Sequence, residues 1–346
     1  MALEINLALV ILLALYFAYT DGAQIGSSVP ASAIGCRALS PRQAVAVSAI
    51  GELSGALFGG SLVANTVASI TSWPARADLL PVLVSGLAAA CLWNQLMRWL
   101  RQPTSPTHAL FGGILGAVVA ATDSTKYLVW GSVNSIVDST GIWKVVLSLI
   151  VSPLLGLVVG YLLLRIANVL LLRASSRINP VIMALQWLTV AALAFSHGAN
   201  DSQKAMGVII LGLKAAGLDT HETVPLWARA ATGLALAAGM LTLAPGIVKR
   251  VGTQIFRLRP LHGLITQAAA AIIIFSASAV GGPVSSAQVI SSSVMGVGSA
   301  ARMKGVHWLA AQSIFIGWFL TIPGSALLAS LIHLVMVHGL AHLAQF

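Results

Sequence analysis

Long apolar runs decide what this chain can fold into. Residues 3–19, 43–64, 79–100, 143–172, 180–196, 224–247, 262–280 and 308–334 are such runs. Most approach the ~20 residues that a membrane-spanning helix needs. A soluble chain carries about a quarter charged residues. This one, 346 residues long, is 8% charged and 58% hydrophobic, with a mean hydropathy of +0.91. The roughly ten-residue alternating segments of a membrane β-barrel are absent. The reading is an all-α polytopic membrane protein.

The net charge of +10 does not point to nucleic acid, because the basic residues fall in short loops between apolar runs. Cys36 and Cys91 have no metal-type spacing and argue for no disulfide. The first run lacks a basic leader and is read as a retained span. Basic loops at 37–42, 98–101, 165–177 and 249–259 fall on one side if the N-terminus is outside. That reading places a multi-pass protein in the plasma (cytoplasmic/inner) membrane.

One polar stretch interrupts this pattern. Ser196-His197-Gly198-Ala199-Asn200-Asp201-Ser202-Gln203-Lys204 packs an amide, an acid and a cation between two apolar runs. Such groups are costly in a membrane unless they are paired or bind something. Gly198 and Gly207 bracket the cluster, so it reads as the unwound midpoint of a broken helix holding an ion or anion. Glu52 admits two readings, an acid near a helix end paired with an Arg or water, or a coupling acid.

The chain also repeats. Gly22-Ala23-Gln24-Ile25 aligns with Gly198-Ala199-Asn200-Asp201, and Pro103-Thr104-Ser105 with Pro283-Val284-Ser285, at offsets of 176 and 180. Short Gly- and Ser-rich runs near 103–121 and 283–298 read as re-entrant hairpins. Their hydroxyls would start helices at membrane depth, where free N–H groups attract anions. Two inverted-topology repeats with broken helices and two re-entrant hairpins follow, with about 10–12 membrane segments. The boundaries are 1–142 for the first repeat, 143–179 for a connecting span and basic loop, and 180–346 for the second. Broken helices at matching positions imply a transporter with its site at the midplane.

The motifs Gly198–Asp201, Pro283–Ser286, 292–298, Arg37–Ala44 and Pro103–His108 together resemble the inorganic phosphate transporter family over nearly the whole chain. The resemblance implies a secondary transporter, not an enzyme and without a cofactor, that moves phosphate by symport with sodium or protons. It implies that Asn200 and Asp201 hold the coupling cation, with Asn200 also helping to hold the anion. Ser105 and Thr107 from the first hairpin, and Ser285 and Ser286 from the second, would bind phosphate. Gln24, Ser28 and Lys204 complete the candidate substrate set. No resident metal is expected.

The departures from the family pattern are Gln24, Ile25 and Ser28 in the first half, Ala287 and Gln288 in the second hairpin, and Lys204. An Ile side chain cannot ligate a cation. Lys204 lies three residues after Asp201, so it would pair with that acid, donate to the anion, or replace one bound sodium. These changes keep sulfate, or another tetrahedral oxyanion, open as the substrate of the same fold, and a non-transporting relative as a further alternative. A homodimer in the lipid bilayer suits this class, although no residue requires it.

Overall fold

A computed structural model of the chain describes residues 2–73, 78–100, 102, 104–218, 224–242 and 245–343. The helices are α1 (Ala2–Gln24), α2 (Ala31–Gly35), α3 (Pro41–Phe58), α4 (Leu62–Ala68), α5 (Leu79–Trp99), α6 (Pro106–Thr122), α7 (Gly141–Leu170), α8 (Asn179–Ala215), α9 (Leu226–Met240), α10 (Pro245–Lys249), α11 (Pro260–Ala279), α12 (Ser286–Arg302) and α13 (Trp308–Leu343). Among the described residues, β-structure amounts to two isolated bridges. Ten helices among the described residues run fifteen residues or more. Six segments among them are long and apolar enough to cross a membrane, and a seventh is the pair α3–α4, bent by 70°.

Local sequence explains the helix starts. Ser40 and Gln43 form a capping box around Pro41 at the start of α3. Ser105 accepts from the His108 N–H at 3.2 Å and, with Pro106, starts α6. The bend between α3 and α4 lies at Gly59–Ser61. A distant side chain fills it: Gln203 Oε1 accepts from the N–H groups of Val63 (2.8 Å) and Ala64 (3.2 Å), and its Nε2 donates to the Gly59 carbonyl at 3.1 Å. Backbone groups that a bend would leave orphaned in lipid are thereby paired.

The helices pack with internal two-fold pseudo-symmetry. Helix α1 lies on α9 as α8 lies on α3, and α7 lies on α12 as α13 lies on α6. Close contacts obey the same operation. A Cβ at Gly22 would strike the Leu236 carbonyl, and one at Gly198 would strike the Glu52 carbonyl. A Cβ at Gly55 would strike the Phe195 carbonyl, and one at Gly239 the Tyr19 carbonyl. Residues of α1 and α8 correspond at 176 positions, and those of α3 and α9 at 184. Helices α6 and α12 are both 17 residues long, and their starts lie 180 positions apart.

Two expectations change. The stretch around Asn200 is not unwound, because α8 runs unbroken through it for 37 residues. Its glycines serve close packing: Gly198 against Glu52, and Gly207 against Ala64 and Val67. The polar side chains reach partners on other elements, so the backbone need not open. In the first half the break is real, since α1 stops at Gln24 and the short 3-10 turn Gly26–Ser28 follows.

The hairpins are also larger than the short runs at 103–121 and 283–298. Helix α5, read from the sequence as a span of its own, lies antiparallel to α6, with Gly86 against Gly113. Helices α11 and α12 pair in the same way. Arg98, expected in a basic surface loop, instead ends α5 at the first hairpin tip and donates to the Thr242 carbonyl at 2.9 Å. Arg101 and Pro103 lie outside the described residues. Apolar side chains fill the space around the tips, with Phe17, Leu83, Leu110 and Met206 on one side and Val284, Val289 and Ile274 on the other.

Candidate functional site

Both hairpin tips end against the polar middle of the molecule, and each is held by an amide from the helix beside it. Asn200 in α8 donates through Nδ2 to Ser278 Oγ (2.9 Å) and to the Gly282 carbonyl (3.1 Å), and its Oδ1 accepts from the Val284 N–H at 3.2 Å. Gln24 at the end of α1 donates to the Gln102 carbonyl at 3.4 Å. Gln102 and Gly282 are 180 positions apart, so one symmetry operation relates both contacts. Asn200 thus spends its side chain on the second tip.

Lys204 joins the two tips. Its ammonium is fully buried and donates to Asp201 Oδ1 (2.5 Å), Thr107 Oγ1 (2.6 Å) and the Val284 carbonyl (2.8 Å). Thr107 belongs to the first hairpin and Val284 to the second. Thr107 also donates to the Val284 carbonyl at 3.0 Å. An ammonium has three donors, and all three are used here. The other Asp201 oxygen accepts from Ser286 Oγ. At the third position of each hairpin helix, His108 Nε2 and Gln288 Nε2 meet at 3.4 Å across the pseudo-axis.

The capacity for a further ligand lies at the start of α12. Its N-cap, Ser285, makes no capping hydrogen bond, and its buried Oγ has no partner. The first N–H groups of a helix have no intrahelical acceptor. With the helix dipole, they form a site for an oxyanion. Ser105 differs, since its Oγ already caps α6. Ser28 is buried in the turn after α1, and Ile25 places an apolar group where the second half has Asp201. The structure therefore groups Asn200, Asp201, Lys204, Thr107 and Ser286 in one network. Gln24 and Ser105 stand at the first tip and Ser285 at the second.

A second buried group adjoins this network. Glu52 lies in the interior of α3, wholly buried, with Oε1 2.9 Å from His197 Nδ1. The expectation of an acid near a helix end meeting water or an Arg does not hold, because Gly198 lets α3 and α8 approach until Glu52 faces His197. His197 Nε2 lies 3.7 Å from Asp201 Oδ2. Asp21, one turn before Ile25, is fully buried near both. The sequence offered a signal for Asp21, an acid at a helix break, but nothing in it pairs that acid with residues 176 and 180 positions away.

Two re-entrant hairpins meeting buried polar groups from pseudo-symmetric helices define a membrane transport protein rather than an enzyme. A sequence model of the phosphate transporter family matches residues 22–184 and 173–329, and the chain belongs to that family. A probable low-affinity inorganic phosphate transporter of Bacillus subtilis is 31% identical over 330 residues, covering 95% of this chain and 96% of the relative. One of Rhizobium meliloti is 31% identical over 323 residues, covering 93% of each. A solved structure described as the sodium-dependent phosphate transporter has the same fold, with a TM-score of 0.85 at 22% identity over 96% of this chain and 98% of that one.

Proposed function

We propose that the chain carries inorganic phosphate across the plasma membrane by cation symport with alternating access. The observation that carries this reading is the convergence of both hairpin tips on Asp201 and Lys204. The α12 amides and the Ser285 hydroxyl hold the oxyanion, Ser105 adds the O–H that its capping role leaves free, and Gln24, Ser28 and Asn200 shape the surroundings. Lys204 sits in a cage of carboxylate, hydroxyl and carbonyl oxygens, the ligand set of a hard cation. It acts as a fixed cation where other sites would bind a mobile one, so Asp201 is neutralised before the anion arrives. Rocking of the repeat 1–142 against 180–346, with 143–179 connecting them, exposes the site to each side in turn.

Orientation follows from charge. Arg37, Lys249, Arg257, Arg259 and Arg302 line a single cavity of about 1560 Å³ at one end of the molecule. Val10 of α1 meets Gly212 near the opposite end of α8. The rule that basic loops face the cytoplasm supports an N-terminus outside.

The test is uptake of radiolabelled phosphate into proteoliposomes under a sodium gradient, then a proton gradient, each with and without excess sulfate. Gradient-driven uptake that resists sulfate is expected. Suppression by sulfate would make the chain a general oxyanion permease, and absence of uptake under both gradients would make it a non-transporting relative.

A further inference from the structure

We propose that the basic cavity between the end of α2, the start of α11 and the end of α12 binds the headgroup of an anionic phospholipid that carries two phosphodiester groups, drawn from the membrane leaflet at that end. Arg37, Lys249, Arg257, Arg259 and Arg302 line the cavity, and no Asp or Glu is among its described lining residues. The rule that basic loops face one side of a membrane asks for cations at this end, but not that five converge on one cavity. Its volume of about 1560 Å³ exceeds the roughly 300–1,000 Å³ of an ordinary small-molecule pocket. One free phosphate would leave most of these cations without a counter-charge. A headgroup with two phosphodiesters reaches several of them at once, and basic pockets between helices at a membrane surface suit such headgroups.

The backbone at Arg37 gives an independent argument. The Ala38 N–H donates to the Ala33 carbonyl at 2.9 Å and the Arg37 N–H to the Ile34 carbonyl at 3.1 Å, which closes α2 in a Schellman motif. The residue at the Arg37 position of that motif has a left-handed backbone, and its φ here is 61°. Glycine is the usual choice there, because it has no Cβ to clash. A long side chain at such a φ is uncommon. The chain keeps a guanidinium at the cavity wall where local backbone chemistry favours none.

The cavity also opens toward lipid. Asn168, near the end of α7, lines both it and a smaller groove formed by Arg165, Ile166, Val169, Leu170 and Leu172. Val169, Leu170 and Leu172 are largely exposed. Acyl chains can lie along this apolar groove while the headgroup turns past Asn168 into the basic cavity. His307 lines the cavity and precedes Trp308, a half-exposed aromatic at the start of α13. Such a Trp marks the level of the lipid headgroups. A soluble polyanion would make no use of the groove.

The test titrates delipidated protein in a neutral detergent with tetraoleoyl cardiolipin or dioleoylphosphatidylcholine, and reads retained lipid by native mass spectrometry. The wild type should retain one cardiolipin per chain, about tenfold or more tighter than phosphatidylcholine. Arg257→Gln with Arg259→Gln should weaken cardiolipin by about tenfold or more. Arg42→Gln with Arg177→Gln removes two cations near the same end that do not line the cavity, and should leave retention unchanged. Arg37→Gly should also weaken cardiolipin, and because glycine suits that backbone it supplies a variant that folds. Equal retention of the two lipids by the wild type, or equal losses in the two double variants, would overturn the site. Sodium pyrophosphate separates lipid from free polyphosphate. It should not displace cardiolipin at equal concentration, and displacement would overturn the lipid assignment. Binding is read without transport, so it stands or falls apart from the phosphate reading.

Discussion

Lys204→Met will abolish phosphate uptake and destabilise the protein, and Lys204→Ala will recover uptake when sodium is supplied. The methionine fills the space of the lysine stem but leaves Asp201 as a buried charge without its nearest cation. Breaking one side of a buried pair costs about 3–5 kcal/mol. It also removes the donor shared by Thr107 and Val284, so the hairpin tips lose their common anchor. Adding Asp201→Asn should restore the melting temperature, because the amide still accepts from Ser286 and carries no charge. Transport should stay lost. Alanine acts differently because it leaves a void among the same carboxylate, hydroxyl and carbonyl oxygens. A sodium ion fits such a set, and uptake by this variant should become sodium-dependent while Lys204→Met stays inactive at any sodium concentration. If Lys204→Met kept wild-type uptake and melting temperature, the fixed-cation reading would be wrong.

Gly198→Ala should be nearly as damaging, although it adds one methyl group. Its Cβ would occupy the place of the Glu52 carbonyl, and the atoms it meets are all Glu52 backbone, with no side chain free to move aside. Overpacking a well-packed core costs about 1–3 kcal/mol, and a clash with backbone, which cannot turn aside, belongs at the upper end. Helices α3 and α8 must separate, which pulls Glu52 from His197. Gly22→Ala makes the equivalent clash with Leu236 in the other half. Both variants should lower the melting temperature by similar amounts. Only Gly198→Ala disturbs the Glu52–His197 contact, so it should lose more uptake per degree of stability lost. Equal uptake losses would mean that the contact has no role beyond packing.

The sequence carried the class and the two-fold plan, since apolar runs and motif offsets of 176 and 180 survive in one dimension. It also located Asn200, Asp201 and Lys204, because charged groups in such a composition are conspicuous. It misjudged the backbone around them. Glycines flanking polar residues look alike whether they open a helix or admit a neighbour, and only the position of Glu52 against Gly198 decides. Helix α5 has the length of a full span, so its place as a hairpin arm depends on packing against α6. The role of Gln203 at the α3–α4 bend and the grouping of Asp21 with His197 depend on contacts between residues more than a hundred positions apart, which no local pattern encodes.

The unequal halves have a thermodynamic consequence. If the repeats were chemically identical, the states open to either side would be related by the two-fold rotation and equal in free energy. Here Glu52, His197 and Asp201 correspond to Leu236, Asp21 and Ile25. On the proposed alternating-access reading, the carrier has a preferred resting face even with no gradient imposed. Detailed balance prevents this bias from changing the final accumulation ratio. It sets the half-saturation concentrations instead, which differ between the two sides of the membrane and fit a carrier tuned to load from one of them.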